Sequence, residues 1–80
     1  MGAYRQPMPE MVPIGRRLRQ LRKARGWTLK VAGEQIGCSL QAVHRMEKGI
    51  IGLSMQTMLR LSEIYEVSCD HILKGTDPCS

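Results

Sequence analysis

Residues 28–49 read TLKVAGEQIGCSLQAVHRMEKG, and this stretch decides the fold. Thr28 carries the side-chain oxygen that an N-cap needs, Ala32 and Ile36 follow at helical spacing, and Gly37 readily takes the left-handed conformation of a tight turn. Ser39 repeats the capping signal. In the helix that follows, Val43 and Met46 point inward, while Gln41, His44, Arg45 and Lys48 project outward until Gly49 ends it. The pattern predicts two short helices joined by the turn Ile36-Gly37-Cys38-Ser39. Helices this short are stable only when packed against others.

Those others are found on both sides. Upstream, Ile14, Leu18, Leu21 and Arg25 keep a helical rhythm that Ala24 widens, which predicts an amphipathic helix from about Ile14 to Gly26. Arg16, Arg19 and Lys23 share its opposite face and are read as a solvated surface, with a contact to an anionic partner as the alternative. Residues 1–13, with Pro7, Pro9 and Pro13, read as an extended, mobile arm. Downstream of the loop Gly49-Ile50-Ile51-Gly52, Ser54 caps a fourth helix with Met58, Leu61, Ser62 and Tyr65 on one face. Ser68 caps a fifth, carrying Ile72 and Leu73 to Gly75, and residues 76–80 form a frayed tail. The expectation is an all-α, compact five-helix bundle over residues 14–75.

Eighty residues leave room for one core and no separate catalytic or sensor domain. With no Phe, that core must be filled by Leu, Ile, Val and Met. Charge is unevenly spread. Residues 1–50 hold ten Lys or Arg against Glu10, Glu34 and Glu47, a net +7, whereas residues 51–80 hold Arg60 and Lys74 against Glu63, Glu66, Asp70 and Asp77, a net −2. The first half is suited to a polyanion. No run approaches the ~18 apolar residues that cross a bilayer, and the start lacks a signal peptide's apolar core. Gln6 also breaks a myristoylation signal, so no membrane partner is expected. Cys38, Cys69 and Cys79 are odd in number and lack CxxC spacing, which favours a reducing, cytoplasmic setting over a disulfide framework.

Two helices joined by a short Gly-containing turn cross steeply, so one spans a phosphate backbone while the other lies in the major groove. The segments IGRRLRQLRKARGWTL, EQIGCSLQAVHRMEKG and LSEIYEVSCDHILKG together resemble the phage-repressor, Xre/Cro-type helix-turn-helix domains, over roughly Ile14 to Gly75. The resemblance implies a lambda-repressor-like bundle that binds double-stranded DNA as a homodimer and regulates transcription, commonly as a repressor on a pseudo-palindromic operator. It places Gln41 and Arg45 as leading base readers, with Leu40 and His44 beside them. Gln suits the N6/N7 edge of adenine, Arg the O6/N7 edge of guanine, and Leu a thymine methyl. Thr28, Lys30, Ser39 and Lys48 are the corresponding phosphate candidates.

The resemblance also implies an ion pair between Glu47 and a first-helix arginine such as Arg17, and Trp27 is expected to pack over the first two helices rather than stack on a base. Two positions depart from the family pattern. Leu29 stands where relatives carry a phosphate-binding Gln, and Val31 where Glu would complete a capping box. Gly33 replaces the usual Ala and permits close approach of the third helix.

Ile50, Ile51, Leu53, Leu59 and Ile64 exceed what so small a core holds, and they are candidates for a two-fold contact. An antitoxin- or adaptor-type module that holds a protein partner is the alternative function. Cys69, Asp70 and His71 are consecutive, so on a helix their side chains diverge and no metal site is expected. No acid–base pair, nucleophile set or phosphate loop is present, so neither an enzyme nor a cofactor is expected.

Overall fold

The computed structural model describes residues 8–75, in five helices: α1 Val12–Ala24, α2 Leu29–Ile36, α3 Leu40–Lys48, α4 Met55–Tyr65 and α5 Cys69–Lys74. Among the described residues there is no strand, and no helix is long and apolar enough to cross a membrane. The expected tail at 76–80 and residues 1–7 of the expected arm lie outside the described residues.

All four expected caps are made. The hydroxyls of Thr28, Ser39, Ser54 and Ser68 accept from the backbone N–H three residues on, at 3.0–3.1 Å. The first helix begins two residues earlier than Ile14, because Pro13 falls at a position in the first turn where its missing N–H costs nothing. The chain before it is attached as well: Met8 N–H donates to Gly49 O at 2.8 Å, and Met11 is buried. The arm as expected through residue 13 is therefore too long at its inner end.

The core is filled as the apolar pattern requires, by Ile14 and Leu18 of α1, Ala32 and Ile36 of α2, Val43 and Met46 of α3, Met58, Leu61 and Tyr65 of α4, and Ile72 of α5. Leu73 is exposed, so only Ile72 of that pair enters the core. Trp27 is half-buried with its ring 5.7 Å from that of Tyr65, so it reaches α4, and the Arg25 guanidinium lies 5.4 Å from its ring centre.

Two glycines set how closely elements approach. A Cβ at Gly15 would stand 2.5 Å from the carbonyl oxygen of Glu47, so α1 and α3 touch through backbone. One at Gly33 would stand 2.7 Å from Cys38 O, which places the expected close approach at the turn leading into α3. Arg60 ties α4 to the same region by donating to Ile36 O at 3.1 Å.

Candidate nucleic-acid interface

Val43 and Met46 are 2% and 4% exposed, and by anchoring α3 they fix which of its faces meets solvent. That face carries Gln41, His44, Arg45 and Lys48, all exposed, and Leu40 at the first turn is exposed too. Their spacings of three and four residues put the polar four on one side of the helix. Ser39 and Thr28, both exposed, use their hydroxyl oxygens as caps, which leaves each hydroxyl proton free to be donated to another acceptor. Lys30 is exposed on the first turn of α2.

Below this face lies an ion pair. Arg22 is 8% exposed, and its guanidinium donates twice to Glu47, Nε to Oε2 at 2.7 Å and Nη2 to Oε1 at 3.1 Å. Nη1 donates to Trp27 O at 2.9 Å, so every nitrogen has a partner. The hydrogen bonds it donates to Glu47 raise the guanidinium pKa further above its ordinary value, against an opposing effect of burial. The first-helix partner of Glu47 is thus Arg22, correcting the expectation of Arg17. Arg17 is engaged elsewhere, donating to Ile72 O and Leu73 O at 3.0 and 2.8 Å at the C-terminal end of α5. The pattern held the signal: Arg22 follows Ile14 and Leu18 at intervals of four, on the buried stripe itself.

Beside the pair, α1 and α3 enclose an open concavity of about 430 Å³ lined by Val12, Arg16, Arg19, Arg22, Leu29, His44, Glu47 and Lys48. Arg16 and Arg19 therefore share a surface with the outer face of α3, whereas Lys23 does not line it. Among the described residues the ion pairs are Arg22–Glu47 and an exposed Arg25–Glu66 contact of 3.8 Å, so Glu47 is already engaged and the concavity is cationic. Leu29 is half-buried, packs against the core and forms one wall.

The expected two-fold residues divide. Ile51, Leu53 and Ile64 are half-buried and packed against the core, Ile50 is half-buried in the loop, and Leu59 is 52% exposed. Among the described residues Met55, 74% exposed and four residues before Leu59, is the most exposed large apolar side chain. Cys38 and Cys69 are free, and burial pushes the Cys38 thiol up, which makes it a poor nucleophile.

Residues 13–73 match the family described as "Helix-turn-helix domain". Over 67 residues, 84% of this chain, the sequence is 33% identical to the HTH-type transcriptional regulator ImmR of Bacillus subtilis strain 168. Over 63 residues, 79% of the chain, it is 32% identical to the SPbeta prophage-derived HTH-type transcriptional regulator YonR of the same organism. The chain spans 52% and 58% of the lengths of these two relatives. A solved structure of the P22 c2 repressor with a synthetic operator is similar at a TM-score of 0.74 and 28% identity, covering 79% of this chain and 96% of that one.

Proposed function

Because this chain belongs to the helix-turn-helix domain family, we propose that it is a sequence-specific DNA-binding transcriptional regulator. In this reading it represses by occupying a pseudo-palindromic operator as a homodimer, with half-sites about one helical turn apart. The observation that carries the reading is the outer face of α3, where Gln41, His44, Arg45 and Lys48 stand exposed on a helix clamped from behind by Val43 and Met46. A major groove admits one such helix, and these side chains have the donors to read base edges and hold phosphates. Gln41 and Arg45 read bases, with Leu40 and His44 beside them, and Thr28, Lys30, Ser39 and Lys48 hold the backbone. The names of the relatives, transcriptional regulators and an operator-bound repressor, support the same reading. Its site of action would be the cytoplasm.

Dimerisation is assigned to the exposed apolar surface around Leu59, with Met55 one turn away and Ile50, Ile51, Leu53 and Ile64 as the expected flanking contacts. Selection from a random duplex library at physiological salt, with competitor DNA in excess, tests the whole reading. Recovery of an inverted repeat is the expected result. A folded protein that enriches no sequence would overturn it and favour the antitoxin- or adaptor-type module, for which Met55 and Leu59 are the available partner surface.

A further inference from the structure

The cations of α1 were read from the sequence as solvated, yet two of them meet α3. Arg16 and Arg19, one turn apart and both exposed, face His44 and Lys48 across the concavity beside the Arg22–Glu47 pair. His44 and Lys48 belong at once to this concavity and to the outer face of α3. A duplex seated on that face would therefore lie beside the opening. Glu47, the one carboxylate among the lining residues, is engaged by Arg22. The side chain of Leu29, on the wall, carries no polar atom.

We propose that Arg16 and Arg19, together with Lys48, form a second backbone clamp that holds DNA phosphates where the strand leaves the reader helix. The proposal rests on the reading of α3 as the DNA-binding helix. It assigns to α1 the backbone contact that an apolar Leu29 cannot make. A guanidinium forks onto phosphate oxygens without regard to base, so the clamp adds affinity and register but no sequence preference.

The test is titration of a labelled selected duplex and a labelled random duplex, by fluorescence anisotropy, between 50 and 200 mM salt. The parent protein is compared with Arg16→Gln/Arg19→Gln and with a charge-matched control, Lys23→Gln/Lys74→Gln, whose lysines are exposed and outside the concavity. Each phosphate contact steepens the salt dependence by about 0.9 in log–log slope, so loss of two makes it shallower by about 2 and weakens binding on the order of 30-fold near 0.15 M salt. The arginine variant is expected to lose this much on both duplexes, with an unchanged melting curve, while the lysine variant loses only a few-fold. Equal losses from the two variants would reduce the effect to net charge and overturn the clamp, as would parent-like affinity and slope in the arginine variant. If the parent itself binds neither duplex at 50 mM salt, the DNA-binding reading falls and the clamp falls with it.

Discussion

Arg22 keeps a charge beneath the outer face of α3 because each guanidinium nitrogen has an acceptor, two of them from one carboxylate. Removing one partner from such a pair leaves the other buried and uncompensated. Glu47→Ala is therefore expected to destabilise the domain by about 3–5 kcal/mol, read as a lowered urea midpoint. Little change would show that the pair is solvated. Tyr65, 3% exposed, responds to pH in the opposite range from a carboxylate. Burial, with the nearby Glu47 charge adding to it, pushes its phenol from 10 up to about 12. Between these values the folded chain keeps a proton that the unfolded chain has lost, so stability present below pH 10 declines as pH rises through 12. A shift of two units corresponds to a loss of roughly 2–3 kcal/mol. Urea midpoints from pH 9 to pH 12 should show this decline in the parent, and Tyr65→Phe should flatten it.

At the scale of elements, α3 is held by three different devices. Ser39 caps its start, Val43 and Met46 anchor its inner side, and Gly15 lets α1 come against the backbone at its end. Gly15→Ala puts a methyl group where the Glu47 and Met46 carbonyl oxygens now lie, at 2.5 and 2.6 Å. Neither is a flexible side-chain end, so α1 must move away from α3. The expected cost is ~1–3 kcal/mol, and an unchanged melting temperature would argue against so close a contact. The outer face of α3 makes a separate prediction. Arg45→Ala should relax preference at one base position, worth ~1–3 kcal/mol of discrimination, whereas Lys48→Ala should weaken binding to all sequences alike. A panel of single-base operator variants distinguishes the two, and equal losses on every duplex from both changes would displace the reader helix from α3.

For the whole molecule, charge and apolar surface are segregated: the cations gather around α1 and α3, while Met55 and Leu59 leave an apolar surface on α4. Under the proposed function, the first surface would take the duplex and the second another copy of the chain. Met55→Asp/Leu59→Asp should halve the mass of the parent dimer, about 18 kDa from 9.0 kDa chains, in sedimentation at tens of micromolar. A parent already monomeric at that concentration would remove the dimer from the proposal. The helices, their caps and the turn at Gly37 were legible in the sequence alone, because periodicity, N-cap hydroxyls and turn glycines act over three or four residues. The exposed face of α3 was legible for the same reason. Partners 25 or 55 positions apart were not: that Glu47 takes Arg22 while Arg17 binds the end of α5, and that Arg16 and Arg19 share a concavity with Lys48, depends on how α1 crosses α3 and α5. Neighbouring arginines look alike as a string, and only the packing of the core, by fixing the rotation of α1 about its own axis, decides which one is buried and which ones line the concavity.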